Sequence, residues 1–367
     1  MTTIFVRDNL RAGIEAASGG QITVLYTQSG APSCFFVLPK FNLEDIDASL
    51  GSGVHPAFII NGEEKPKLFI GQFPAIQKNG ELLSIPTVRP SGDLHLDLAS
   101  TYARNCGAGY HVITNAEWAA IALWCLKNGW LPSGNTDYGR NYQFPHETGV
   151  RWDGQPIGTT STIATTLTGS GPIEWRHNFQ PSGIADMVGN IRELVSGLRI
   201  VDGEIQVIQN NDSAAWTGSF GGAANWKAIS LSTGNLVTPG TSGTVKVDSV
   251  NAASATPPEN RGDFIYAATQ AHQLGPDGDS TYNYDYNQMF FSDIPTAGLP
   301  AVLKTLGLAP LSSMDGMGKA YVRNYGTWYA SRGEGHYGRE NAGMFSLTLN
   351  NGFTSTHSAT GTRVCKY

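Results

Sequence analysis

The side chains best suited to contact chemistry crowd into the last stretch of the chain, residues 323–367, RNYGTWYASRGEGHYGRENAGMFSLTLNNGFTSTHSATGTRVCKY. Trp328, Tyr329, His336, Tyr337, Arg339 and Glu340 precede a short alternating run, and Asn351, Phe353, Thr354, Ser355 and His357 follow it, with glycines on both flanks. Large rings with polar handles, spaced by Gly and Ser, offer much contact area for little rotamer entropy, which suits a recognition surface. The same composition also suits a core strand with ordinary loops, and composition alone leaves both open. Between the flanks, Phe345, Leu347 and Leu349 alternate with Ser346, Thr348 and Asn350. That period predicts a strand with one apolar and one polar face.

Catalytic chemistry finds less support. The chain has no HExxH, no GxSxG and no phosphate-cradling GxxxxGK[ST]. Its four cysteines, Cys34, Cys106, Cys125 and Cys365, are scattered without a CxxC, so reduced structural thiols are expected. Asp186 and Glu193 form a carboxylate pair that is expected to satisfy backbone donors. His111 is expected to be a satisfied structural histidine rather than a ligand. Asp277, Asp279 and Asp285 are oxygen donors near glycine that could hold Ca²⁺, but they lack the spacing of an EF-hand loop. Apart from that calcium, no metal or cofactor is expected.

The elements that position these residues belong to a loop-rich, β-leaning chain. Of its 367 residues 44 are glycine, and only 15% are charged, which argues against helical bundles and against disorder. The net charge of −6, with no Lys/Arg run, argues against a nucleic-acid binder, which needs a basic footprint. The N-terminus lacks the basic segment and apolar core of a signal peptide, and no stretch approaches the ~18 apolar residues of a membrane span. Membrane insertion is therefore not expected.

Residues 1–45 read as a short helix at 8–17 and two strands, QITVLYT and CFFVL, too little to fold alone, so attachment and packing on the main domain both stand. Thr114 followed by Glu117 is a capping box opening a helix whose Trp118, Ile121, Ala122 and Cys125 line one face. Gly189-Asn190 turns into the strand IRELVSGLRIV, and Asp202-Gly203 turns it back into EIQVI as a hairpin. Residues 230–300 are polar and read as long surface insertions.

Two sets of motifs carry a resemblance. Arg332-Gly333, the run from Asn341 through Ala342, Gly343, Met344, Phe345, Leu347 and Leu349 to Asn351, and Gly361-Thr362-Arg363 together resemble the variable region of diversity-generating retroelement proteins, whose phage members determine tropism. Thr362 departs from the Phe of that pattern. Earlier, VHPAFIINGEEK from Val54, GYHVITNAEW from Gly109 and GIADMVGNIRELVS from Gly183 resemble, in order, the markers of formylglycine-generating-enzyme-type C-type lectin domains. The loop WTGSFGGAANW from Trp216 is similar to that family's glycine-rich loop.

The resemblance implies an α+β C-type lectin fold over residues 46–367, loop-rich with short antiparallel strands and few helices. It implies a framework of Gly183, Asp186, Met187, Gly189, Asn190, Glu193, Ala342, Gly343, Phe345, Leu347, Leu349, Gly361 and Arg363. Diversification would fall within residues 323–363, at Trp328, Tyr329, Ser331, Glu334, His336, Tyr337, Arg339, Glu340, Thr348, Asn350, Phe353, Ser355 and His357. Trp328, Tyr329 and Tyr337 would be aromatic anchors. The function implied is that of a non-enzymatic phage or prophage tail-fibre tip, carried on the virion. Its partners would be a host-cell surface receptor (protein or glycan) and other tail-fibre proteins, with a homotrimer by analogy. A bacterial surface-displayed variable protein is the alternative. An oxidase of the formylglycine type is another, although it requires paired cysteines to bind copper, and HYGRENAG has none.

Overall fold

The structure is a computed structural model, and it describes residues 8–222, 225–254, 259–275 and 285–367. It is a mixed α+β chain, rich in sheet, with five α-helices among the described residues. Two sheets organise it.

The smaller sheet runs in the order Ile22–Tyr26, Pro32–Pro39, Lys67–Gly71, Val364–Lys366, Tyr110–Val112. The C-terminal strand thus lies between two N-terminal ones, with Cys365 opposite both Ile70 and His111. Residues 22–39 are therefore packed on the main domain as an edge hairpin of its sheet, with Phe36 and Leu38 in the core. The helix Asn9–Ala17 precedes it, capped by Asp8, whose side chain accepts from the Arg11 amide.

The larger sheet places Arg192–Val201 beside Thr327–Arg332, then Leu347–Asn351, Lys319–Val322 and Asn287–Phe290. On its other side Arg192–Val201 pairs with Glu204–Ile208, as Asp202-Gly203 predicts; both turn residues have positive φ. Such a turn matches the twist of the strands it joins. The stretch from 230 differs from expectation. Lys246–Ser249 and Phe264–Ala267 pair with each other and extend this sheet, burying Val247, Phe264 and Tyr266 in the core. Those two apolar runs are only a few residues long, and their polar flanks masked them.

The helix Asn115–Asn128 is the hub. Its capping box forms as expected: Thr114 Oγ1 accepts from the Glu117 amide at 3.0 Å, and Glu117 Oε2 accepts from the Thr114 amide at 3.0 Å. Its burial is not one-faced, however. Trp118, Ala119, Ala120, Ile121, Ala122 and Leu123 are all buried, so this is an interior helix and not an amphipathic one.

Candidate functional site

The backbone of the C-terminal region is held by buried polar anchors that reach far across the chain. Arg363 donates from Nη2 and Nε to Glu193 at 2.6 and 3.1 Å, from Nη1 to the Gly71 carbonyl at 2.8 Å and from Nη2 to the Ala185 carbonyl at 2.9 Å. Both side chains are fully buried. Burial raises the Glu193 carboxyl, and Arg363 works against that shift. Arg332, also buried, has no carboxylate partner among the described residues. It donates to Asn115 Oδ1 at 2.7 and 3.1 Å, to the Gly307 carbonyl at 3.0 Å and to the Phe345 carbonyl at 3.3 Å, and burial pushes it down to about 9. Trp118 Nε1 donates to the Met344 carbonyl at 2.8 Å.

The GIADMVGNIRELVS segment supplies the other half of this scaffold. Gly189 has φ +68°, and a Cβ there would stand 2.1 Å from the Asn135 carbonyl oxygen. Asn190 Oδ1 accepts from the Thr166 amide at 2.7 Å. Asp186 Oδ2 accepts from the Gly169 amide at 2.7 Å, and burial raises its carboxyl. Asp186 thus meets a backbone donor, as expected, through Oδ2 alone, its Oδ1 being buried without a hydrogen-bond partner among the described residues, whereas Glu193 is held by the Arg363 side chain rather than by backbone donors. Gly343 lies against the Met317–Gly318 peptide, where a Cβ would come within 2.3 Å of the Met317 carbonyl carbon. Gly343→Ala is expected to cost about 1–3 kcal/mol, read as a lowered denaturant midpoint at unchanged slope.

Against this scaffold the aromatic and polar residues of 328–357 divide into two groups. Six are buried and pack the scaffold itself, which corrects their expected exposure. Trp328 lies under the Arg323 guanidinium, 4.8 Å from its ring, and donates from Nε1 to the Tyr325 carbonyl. Tyr329 donates to the Phe220 carbonyl at 3.2 Å and packs on Phe353. Ser331 Oγ accepts from Asn351 Nδ2 at 2.9 Å. Glu334 pairs with Arg192 and accepts from Thr348 Oγ1 at 3.3 Å, closing over a strand face that alternation had suggested was wet. His336 is enclosed between Tyr138 and Tyr337, and among the described residues neither ring nitrogen meets a partner in good hydrogen-bond geometry. Burial, with the backbones of Asn190 and Ser161 opposing it, pushes His336 down to about 4. The helix-less loop 333–338 folds back over the sheet, and strand period cannot foresee that.

The second group is open. Tyr337, Arg339, Glu340, Ser355 and His357 are exposed, and Asn350 and Phe353 are half-buried. Beside them the structure adds residues not singled out from sequence. Tyr321, directly opposite Thr348, stacks on Tyr286 with centroids 4.4 Å apart. A cleft of about 790 Å³ runs alongside, lined by Tyr142, Phe144 and Phe290 together with Arg339 and Glu340. All three of those rings are substantially exposed. The run NYQFPH from Asn141, two aromatics in an otherwise polar loop, was the available signal. The arrangement can do contact chemistry: rings beside carboxylates and cations, on a rigid backbone.

Burial raises the thiols of Cys106, to about 11, and of Cys125 and Cys365. His111, Glu117 and Cys365 come together from distant sequence positions, within 4.8 Å of one another. Hydrogen bonds tie two of them to their surroundings. His111 Nε2 meets Glu117 Oε1 at 2.8 Å, and its Nδ1 meets the Gly109 carbonyl at 2.9 Å. Asn211 Nδ2 donates to the same Glu117 oxygen at 3.0 Å. Burial opposes charge on His111, but these acceptors outweigh it and raise its pKa.

Of the three candidate calcium ligands, Asp277 and Asp279 lie outside the described residues. Asp285 is buried and accepts from the Ser254 amide and, at 3.1 Å, from the Glu259 amide, so it holds backbone from much earlier in the chain. Among the described residues no helix is long and apolar enough to cross a membrane. No protein-family model matches the chain, and no curated protein matches it.

Proposed function

We propose that this chain is a receptor-binding protein with a formylglycine-generating-enzyme-type C-type lectin fold, whose C-terminal surface is diversified by a retroelement. In this reading it is a phage or prophage tail-fibre tip that binds a host-cell surface receptor and performs no catalysis. One observation carries the reading: the C-terminal region separates into buried anchors and exposed side chains. Arg332, Phe345, Leu347, Gly361 and Arg363 are fully enclosed, whereas Tyr337, Arg339, Glu340, Ser355 and His357 are exposed. Exposed side chains can be exchanged at little cost to stability, because substitutions away from buried features usually stay within about ±0.5 kcal/mol. The rings and charges they carry are those that dominate binding interfaces.

Binding of the purified chain to host cells tests this. Tyr337→Ala and Arg339→Ala are each expected to weaken binding by about tenfold, with the thermal midpoint unchanged. Equal binding by wild type and both variants would count against the surface assigned.

A further inference from the structure

The cleft beside the exposed residues is chemically distinct from the open face, and its walls restrict what can enter. Its volume, about 790 Å³, is that of a small-molecule site rather than a docking surface for a folded protein. Tyr142 and Phe144 line it from one loop, and Phe290 and Asp293 from another part of the chain. The rings of Tyr142, Phe144 and Phe290 are 37%, 46% and 45% exposed, high values for aromatics facing a concavity. Two of them already carry a cation from the protein itself. The Arg339 guanidinium stands 5.4 Å from the Tyr142 ring centroid, and Lys319 Nζ stands 4.6 Å from that of Phe290.

Charge complementarity then narrows the guest. A cationic ligand seeking a ring face would meet Arg339 or Lys319. An anionic ligand would meet the carboxylates of Asp293, Asp315 and Glu340, of which only Glu340 has a cationic partner among the described residues, Lys319 at 3.6 Å. A neutral guest with many hydroxyls can use both sets, giving protons to the carboxylates and receiving them from Arg339, while its C–H faces lie on the rings.

We infer that this cleft binds a neutral saccharide unit of the receptor, held by Tyr142, Phe144 and Phe290 and selected by Arg339 and Glu340. This rests on the receptor-binding reading above and deepens it. Fixed loops would supply the apolar platform, and two exchangeable residues would choose among sugars by the hydrogen bonds they offer.

Saturation-transfer NMR on the full chain provides the test. The probes are neutral di- and trisaccharides of hexose and N-acetylhexosamine, with sialylated and amine-bearing counterparts as charge controls. At least one neutral probe is expected to receive magnetisation from the chain. Phe144→Ala, at an exposed position, is expected to weaken its binding by tenfold or more, and Tyr325→Ala, outside the cleft, to leave it unchanged. No transfer to any neutral probe would overturn the inference. So would stronger binding of the charged counterparts, or binding that Phe144→Ala leaves intact. Should these sugars fail while the Tyr337 and Arg339 variants still lose host-cell binding, the cleft assignment falls and the receptor-binding surface stands. If the variants keep full cell binding, the surface reading itself fails.

Discussion

Arg363→Met is expected to lower stability by about 3–5 kcal/mol, the largest effect of any single substitution considered for this chain. Met matches much of the apolar stem but none of the donors. It would leave the Glu193 carboxylate buried without its partner, and the carbonyls of Gly71 and Ala185 without theirs. These groups belong to the smaller sheet, to the GIADMVGNIRELVS segment and to the strand Arg192–Val201. One guanidinium therefore fastens three parts of the chain. Equilibrium denaturation reads the loss, and a double variant with Glu193→Gln separates its origins. Much of the cost is the uncompensated carboxylate, so the double variant is expected to recover part of it. A loss below about 1 kcal/mol would mean that the pair does not fasten the scaffold.

The second large effect is acid lability. Burial holds His55 and His336 down to about 4 and His177 down to about 3, against an unperturbed value of 6.5. For each, the folded value lies below the unfolded one. The stability it contributes is fully present above pH 6.5 and is lost as pH falls towards its folded value. Between pH 7 and pH 4.5 each is expected to cost about 2–3 kcal/mol. Asp186 and Glu193, with carboxyls raised by burial, act in the opposite sense. For His111 burial opposes charge, but Glu117 and the Gly109 carbonyl raise its pKa, so its contribution is lost as pH rises through its folded value. Comparison with a variant isolates one residue. His336→Phe, which fills the site between Tyr138 and Tyr337 without a titratable ring, is expected to flatten the acid limb of stability against pH by about 2 kcal/mol. An unchanged slope would mean that His336 is not the buried neutral ring described.

How far the sequence reached can be followed at particular residues. The capping box at Thr114 and the turn at Asp202-Gly203 are local hydrogen-bonding rules, and local rules are legible in a string of letters. The enclosure of Trp328, Ser331, His336 and Thr348 was not. Their polar atoms or polar neighbours suggest exposure, while their burial comes from distant contacts, such as Glu334 closing over Thr348 and Arg323 lying over Trp328. Tyr142, Phe144 and Phe290 were missed for the complementary reason: they flank the site only because segments some 150 residues apart meet there. The pairing of Cys365 with His111 likewise follows from strand order, which no spacing reveals.

The most direct measurement is the sequence of this gene's 3′ end across many sibling isolates of one lineage. The account predicts substitutions concentrated at Tyr337, Arg339, Glu340, Ser355 and His357, with Arg332, Phe345, Leu347, Gly361 and Arg363 fixed. A region that is invariant, or that varies no more than residues 50–200, would contradict diversification and leave a fixed binding module in its place.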